Sequence, residues 1–258
     1  MKNQHKPSGF SRFCFRFLRF FVRLIYPKTT LHGLENLPQE PCILVGNHSQ
    51  LHGPIMGELY LPFDRGIWTA AQMMTLKEVP AYTFQDFWSI KPRWTHWFYR
   101  IISYLIAPLS ACIFNNAHTI AVRRDNRIIN TFRETVNTLD RGAHVVIFPE
   151  CYTPYNNIVH QFQENFVTVA KLYHKRTGKA IKFVPLYIAP NLHAMYIGTP
   201  ISYDPNADQD AERSRICLKL MDGITDIAAA LPPHKVVPYP NLPKKMHPMN
   251  VPIQKESL

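Results

Sequence analysis

A histidine in a turn between a strand and a helix is well placed to take a proton. The stretch Val45-Gly46-Asn47-His48-Ser49-Gln50-Leu51-His52-Gly53-Pro54 has that pattern. Cys42 to Gly46 is a short apolar run of the kind that forms a buried strand. Pro54 is favoured at the opening of a helix, with Gly53 before it as N-cap. His48 thus falls on a loop at the carboxyl end of a strand, where open α/β sheets hold their ligands. An imidazole there suits general-base chemistry, the removal of a proton from an attacking hydroxyl. His48 and His52 also have the spacing of two metal ligands on one helix, but Pro54 starts the helix after both and no third ligand accompanies them. No metal site is expected.

The elements that must position this turn are legible as alternating strands and helices. Strands are expected at Thr119 to Val122, His144 to Phe148, Ile181 to Tyr187 and Met195 to Ile201, each short, apolar and bounded by turn or charged residues. Between the first two, Ile129, Phe132, Val136 and Leu139 recur at helical spacing, with Gly142 as a stop. After the second, Phe162, Phe166, Val169, Ala170 and Tyr173 predict another helix ending near Gly178. The alternation predicts an α/β fold, a mainly parallel sheet flanked by helices. Ala211 to Leu231 reads as a long terminal helix, and the tail from Pro232 as loosely ordered. The expected organisation is a basic segment over 1–28, a catalytic-type domain over 29–231 and a tail over 232–258.

With 258 residues, 46% of them apolar, the chain can bury one sizeable core. Five cysteines, Cys14, Cys42, Cys112, Cys151 and Cys217, are odd in number and contain no Cys-x-x-Cys pair. Neither a disulfide framework nor a zinc ribbon is indicated, and a reducing, cytoplasmic setting is expected. The formal net charge is +11, and residues 1–28 hold Lys2, Lys6, Arg12, Arg16, Arg19, Arg23 and Lys28 without an acid. The arginines line one face of a helix, while Phe13, Phe15, Phe17, Leu18, Phe20, Phe21, Val22, Leu24 and Ile25 fill the rest. Such a basic amphipathic helix lies on an anionic membrane surface, with its rings buried and its guanidinium groups among phosphates. Its apolar runs fall short of the ~20 residues of a span and the ~7 to 15 of a signal peptide core. No groove-reading or RNA-binding module is present, so no nucleic-acid partner is expected. A second aromatic belt, Phe84, Phe87, Trp88, Trp94, Trp97, Phe98 and Tyr99, leads into the apolar run from Ile101 to Phe114. That run suits an interfacial hairpin or a buried helix equally by length.

Four segments together resemble the glycerolipid acyltransferases that include the 1-acylglycerol-3-phosphate acyltransferases. The first is Asn47-His48-Ser49-Gln50-Leu51-His52, with Gly53 at the family's aspartate position. The second is Ile120-Ala121-Val122-Arg123-Arg124, the third Val146-Ile147-Phe148-Pro149-Glu150, and the fourth Val184-Pro185-Leu186-Tyr187-Ile188. The resemblance implies His48 as catalytic base, Arg124 as the group that pairs with an acceptor phosphate, and Glu150 as a residue that binds or orients acceptor hydroxyls. It implies acyl-CoA or acyl-carrier protein as acyl thioester donor, a lysophospholipid-like (lysolipid) acceptor, and no cofactor beyond the co-substrate. The setting it implies is peripheral, at the cytoplasmic face of a membrane.

Two departures qualify this picture. Gly53 carries no carboxylate, so the partner of His48 is His52, a backbone carbonyl, or an acid from elsewhere such as Asp64 or Asp86. A Gly53→Asp replacement would raise acyl transfer if the pair is weakened, and leave it unchanged if another residue already fills the role. After Glu150 the chain reads Cys151-Tyr152-Thr153-Pro154, without the arginine usual in the family. Cys151 raises the further possibility of a Cys151–His48 nucleophile pair working through an acyl-enzyme. The alternative to an enzyme is a non-catalytic lipid- or acyl-thioester-binding protein on the same fold.

Overall fold

The computed structural model describes residues 8–89, 91–123 and 125–252. In chain order the elements are α1 (Gly9–Ile25), β1 (Thr30–His32), β2 (Ile43–Gly46), α2 (His52–Tyr60), β3 (Arg65–Ala70), α3 (Val79–Thr83), α4 (His96–Asn116), β4 (Thr119–Val122), α5 (Ile128–Asp140), β5 (His144–Ile147), β6 (Glu150–Pro154), β7 (His160–Phe162), α6 (Thr168–Thr177), β8 (Lys182–Ala189), β9 (Ala194–Ile197), β10 (Ile201–Ser202) and α7 (Gln209–Ala230). They fall into two compact units. One joins Pro27–Ile67 to the chain from Phe132 onward; the other joins the N-terminal segment through Tyr26 to Trp68–Thr131.

The first unit is an α/β sheet in the order β1-β9-β8-β2-β5-β3. β2 lies between β8 and β5 and is parallel to both, and β5 is parallel to β3. β9 and β10 run antiparallel to β8. β2 and β5 are buried at every residue, as central strands covered on both faces must be. Register does the rest: Val45 stands opposite Ile147 and Gly46 opposite Leu186, so the chain leaves β2, β5 and β8 at one edge of the sheet. Asn47-His48 and Phe148-Pro149-Glu150 therefore emerge side by side.

Three sequence expectations are displaced here. Phe162 belongs to β7, because a β6–β7 hairpin intervenes before α6. The hairpin reverses where the Asn156 side chain accepts hydrogen bonds from the N–H groups of Ile158 (2.8 Å) and Val159 (2.9 Å). The run from Met195 to Ile201 is broken into β9 and β10 around Gly198 and Pro200. The segment from Pro232 is folded against the unit through residue 252: His234, Val236, Val237 and Asn250 are buried, and Lys235 bridges to Met249. The Asn250 amide donates to the carbonyls of Ala228 (2.8 Å) and Leu231 (3.1 Å) at the end of α7, while its oxygen accepts from the His234 N–H (2.9 Å). Such partners satisfy carbonyls that a helix terminus leaves open.

The second unit contains an N-terminal helix with no buried residue. α1 runs from Gly9 to Ile25, capped by the Ser8 side chain, with Phe10, Phe13, Phe17, Phe20, Leu24 and Ile25 exposed. It packs on α4 through Ser11, whose hydroxyl accepts from the Asn116 amide at 2.7 Å and touches the Cys112 sulfur. α4 is one continuous helix through Pro108, not a hairpin. Its buried positions are the small residues Ser103, Ala107 and Ser110, while Trp97, Phe98, Ile101, Tyr104, Leu105 and Leu109 face outward. Together with the turn before it, Arg93–Asn116, it is long and apolar enough to cross a membrane by length and composition.

The role of Asn250 can be checked directly. Asn250→Ala takes a partner from the buried His234 N–H and from the Leu231 carbonyl, and one of two donors from the Ala228 carbonyl, so it should lower stability in denaturant titration by about 1–3 kcal/mol. Limited proteolysis should cut first between 232 and 252.

Candidate active site

The turn after β2 has an unusual backbone. Ser49 and Gln50 both take positive φ, 47° and 56°, the left-handed region that side-chain-bearing residues seldom adopt. Buried polar contacts hold them there. The Asn47 amide donates to the Ser49 hydroxyl (2.8 Å) and the Ile188 carbonyl (3.1 Å), and its oxygen accepts from the Ile188 N–H (2.7 Å). The Ser49 hydroxyl donates to the same carbonyl at 3.3 Å. Asn47 is 1% exposed and Ser49 is fully buried, so these bonds tie the turn to the end of β8 without competition from water.

The consequence is at His48. The left-handed turn swings the Gln50 carbonyl back onto His48 Nδ1. A carbonyl only accepts, so Nδ1 carries the proton and Nε2 keeps its lone pair. Burial lowers the proton affinity of the ring, outweighing the opposing effect of the Gln50 carbonyl, and the imidazole is neutral near pH 7. Among the partners open from sequence, a backbone carbonyl occupies the place. Asp64 precedes β3 at the opposite edge of the sheet, where its side chain accepts from the Arg65 N–H.

Gly53 is not an N-cap: α2 begins at His52, and Pro54 sits inside its first turn. The Gly53 N–H donates to the His48 carbonyl at 3.0 Å. A Cβ at Gly53 would stand 2.7 Å from that carbonyl oxygen and 2.9 Å from Phe148 Cε1, and one at Gly46 would stand 2.9 Å from the Leu186 carbonyl oxygen. The turn has closed onto both glycines. A side chain at position 53, carboxylate or otherwise, meets backbone before it reaches the imidazole.

Glu150 sits directly beside this turn, 3% exposed. Its Oε2 accepts from the His48 N–H at 2.5 Å and its Oε1 from the His160 N–H at 2.9 Å. The carboxylate therefore braces two backbone segments, the histidine turn and β7. Burial raises its pKa to about 7, although both N–H donors pull the other way. His160 Nδ1 lies 3.9 Å from Glu150 Oε1, close enough for an ion pair if charged. Burial holds His160 below its ordinary value, so the contact is between a neutral ring and the carboxyl group, and Nδ1 has no hydrogen-bond partner.

The other residues singled out from sequence are placed as follows. His52 opens α2, with its proton affinity reduced by burial and by nearby Lys244 and His247. Cys151 follows Glu150 on β6, in the stretch where the β6–β7 register is irregular, and no hydrogen bond joins its thiol to His48. Arg124 lies outside the described residues. Its neighbour Arg123 pairs with Glu78 at 3.6 Å, and Arg127 pairs with Asp125 through Nε at 2.9 Å. Among the described residues no group of three or more His, Cys, Asp or Glu side chains comes together as a metal site would need.

Two ring neighbours of His48 were not anticipated. Phe148 packs edge-on against the imidazole at 5.6 Å between centroids, and Tyr239 does so at 5.7 Å. Tyr239 in turn meets Tyr152 (5.2 Å) and His160 (5.9 Å). Phe148 was visible in the third motif as a residue beside Glu150; Tyr239 is distant in sequence and gave no signal.

No family model matches the chain, and no curated protein matches it. Among solved structures it is similar to the 1-acyl-sn-glycerophosphate (LPA) acyltransferase PlsC from Thermotoga maritima, with 13% identity, 88% of this chain and 84% of that chain covered, and a TM-score of 0.44. A likeness of that degree carries no argument about chemistry, which rests on the site itself.

Two outcomes follow from this geometry. Gly53→Asp should not create a working pair: overpacking against the His48 carbonyl should destabilise the protein by about 1–3 kcal/mol in thermal or denaturant unfolding. A variant as stable as the parent would refute the closed turn. The second outcome concerns pH. Because Glu150 is raised from 4.5 to about 7, the folded state holds its proton more tightly, and this contribution to stability is full below 4.5 and declines as pH rises to about 7. The lowered histidines, His48, His52, His144 and His160, act oppositely, losing their contribution as pH falls below 6.5. Glu150→Gln removes only the first component. The melting temperature of the parent minus that of the variant should fall as pH rises over this range, and a constant difference would show that Glu150 is ionised throughout.

Proposed function

We propose that the chain is an O-acyltransferase that uses His48 to move a fatty acyl group from acyl-CoA or acyl-carrier protein to a lysophospholipid-like alcohol at a membrane surface. The observation that carries this reading is the commitment of His48 Nδ1 to the Gln50 carbonyl, which leaves Nε2 of a neutral imidazole as proton acceptor at the carboxyl edge of the sheet. The order and spacing of the four sequence motifs supply the reaction class. Three of them meet around this turn: β2 leads to His48, β5 leads to Glu150, and β8 carries Ile188 near its end, which holds Asn47.

In this reaction the acceptor hydroxyl gives its proton to Nε2 as its oxygen attacks the thioester carbonyl. The carbon–sulfur bond then breaks as the tetrahedral intermediate collapses, and the imidazolium returns the proton to the departing thiolate. The products are an ester and a free thiol. The carbonyl of Gln50 holds the ring in the correct tautomer and turns its negative end toward the transient positive charge. Phosphate recognition at Arg124 is part of the same reading, as is the handling of acceptor hydroxyls near Glu150.

Membrane association is proposed from the second unit. α4 is built with small residues inside and aromatic and aliphatic ones outside, an arrangement favourable when the surroundings are not water. α1 adds an exposed aromatic face with Arg12, Arg16, Arg19 and Arg23 spaced along the same helix. A helix of that composition rests in the plane of anionic headgroups.

Labelled acyl-CoA offered with a panel of lysolipid and alcohol acceptors tests the chemistry. His48→Ala should lower turnover by about 10²- to 10⁴-fold, the range for loss of a general base. If no acceptor is used, or if His48→Ala turns over normally, the non-catalytic acyl-thioester-binding alternative takes its place. For the membrane, the full chain should sediment with vesicles containing phosphatidylglycerol. Replacing Arg12, Arg16, Arg19 and Arg23 together by Gln should weaken binding by about 1 kcal/mol per residue near the surface, and raised salt should weaken the parent similarly. Salt-independent binding unchanged by the substitutions would defeat the in-plane arrangement.

A further inference from the structure

The segment after α7 does more than close the fold. It leaves and returns through one anchored point, where the His234 N–H donates to Asn250 (2.9 Å) and the Asn250 N–H donates to the His234 carbonyl (3.0 Å). Beneath this point His234 Nδ1 lies 2.8 Å from the Pro232 carbonyl and therefore carries the proton. His234 Nε2 is thus an acceptor, and the buried Tyr187 hydroxyl donates to it at 2.8 Å. Val236 donates to the Pro248 carbonyl at 2.8 Å, and the Asn191 amide donates to the Lys235 carbonyl at 2.6 Å. The stem is held by Tyr187 of β8, by Asn191 in the loop after it and by the end of α7, and the same β8 holds Asn47 at Ile188.

From that stem the chain runs Val237-Pro238-Tyr239-Pro240. Pro240 disfavours helical backbone at Tyr239, and Pro238 does the same at Val237 while fixing its own φ, so the segment has few backbone conformations open to it. The ring stands 5.7 Å from His48, at 75° to it, while Phe148 stands 5.6 Å from the same imidazole. Gln50, the residue whose backbone carbonyl holds His48, donates from its side-chain amide toward the Pro240 carbonyl at 3.4 Å. The loop that carries Tyr239 is thus joined to the histidine turn by a ring contact and a polar one.

We propose that Tyr239 is a positioning residue for His48, seated by the C-terminal clasp so that its ring and Phe148 grip the imidazole and hold Nε2 on a fixed line. The proposal deepens the acyl-transfer reading and rests on it for its catalytic consequence. The physical need is clear from the hydrogen bonding. One bond from Nδ1 to a carbonyl fixes the tautomer but leaves the ring able to pivot about that bond, and two edge contacts remove that freedom. The clasp is therefore part of the reacting site although it lies about 190 residues from His48 in sequence, the separation of Gln50 and Pro240. The same segment brings Lys244 and His247 near enough to His52 to lower its proton affinity.

The test uses the full chain with Tyr239→Ala, Tyr239→Phe and Tyr239→Leu. Two readouts are compared: carbethoxylation of His48 by diethyl pyrocarbonate, followed by peptide mass spectrometry, and kcat and KM for acyl transfer from acyl-CoA. Tyr239→Ala should carbethoxylate His48 several-fold faster and lower kcat by about 10²-fold, the penalty of a slightly misplaced reacting group, with little change in KM. Tyr239→Phe should recover most of both losses because it restores the ring. Should Tyr239→Ala melt near the assay temperature, Tyr239→Leu fills the volume without an aromatic edge and should give the same pattern. His48 labelled at the parental rate in the Ala or Leu protein would overturn the proposal, as would Tyr239→Phe behaving like Tyr239→Ala. If the parent transfers no acyl group to any acceptor, the labelling readout still decides the clasp, and the two ideas fail separately.

Discussion

The contact between His48 Nδ1 and the carbonyl of Gln50 is the constraint around which the sheet unit is arranged. It requires two successive residues, Ser49 and Gln50, in left-handed backbone, a conformation the chain holds only where its surroundings impose it. The surroundings are the Asn47 side chain, which exchanges hydrogen bonds with both backbone groups of Ile188, and the Ser49 hydroxyl, which shares one of them. Those bonds exist because β2 and β8 are adjacent, parallel and in register. Sheet order, strand register and turn strain thus converge on one imidazole nitrogen. Loss of any of them releases the others.

Glu150 shows how the same register creates a second brace. The pairing of β2 with β5 places residues 102 apart opposite each other, and His48 and Glu150 keep that offset beyond the strand ends. A buried carboxyl group is expensive unless hydrogen-bonded, and here both oxygens accept backbone N–H groups. What the carboxyl group touches is backbone, so its clearest effect is on where His48 and β7 stand. Its elevated pKa comes from burial, which outweighs the two donors.

Much of this was legible in the sequence and some was not, for identifiable reasons. The central strands were readable because parallel strands buried on both faces are continuous apolar runs, and α5 because Phe132, Val136 and Leu139 keep helical spacing up to Gly142. His48 was readable from its place after such a strand. The β6–β7 hairpin was not, because Phe162 happens to fall in phase with the helix that follows, and an Asn156 side-chain turn leaves no apolar period. The clasp was missed because its many prolines and lysines have the composition of a loose tail, while its order comes from Asn250, His234 and two valines meeting partners far away in sequence. In the other unit the length of α4 was hidden by Pro108. A proline inside a helix argues locally for a break, yet α4 continues through it, anchored by the hydroxyl of Ser110 on the Met73 carbonyl at 2.9 Å.

Gly53 is where sequence comparison and geometry part most sharply. Read against the motif it resembles, it stands where an aspartate is expected. In three dimensions it is the residue that lets the turn close, since its N–H and the space where a Cβ would stand are both taken up by the His48 carbonyl. An aspartate and a carbonyl both fix the imidazole tautomer, but in the proposed reaction only an aspartate would bring a full negative charge to the imidazolium. A site built on the carbonyl keeps the base oriented and neutral while stabilising its protonated form less. The proposed base would then depend more on the ring being held still. The aromatic edges of Phe148 and Tyr239 lie against that ring.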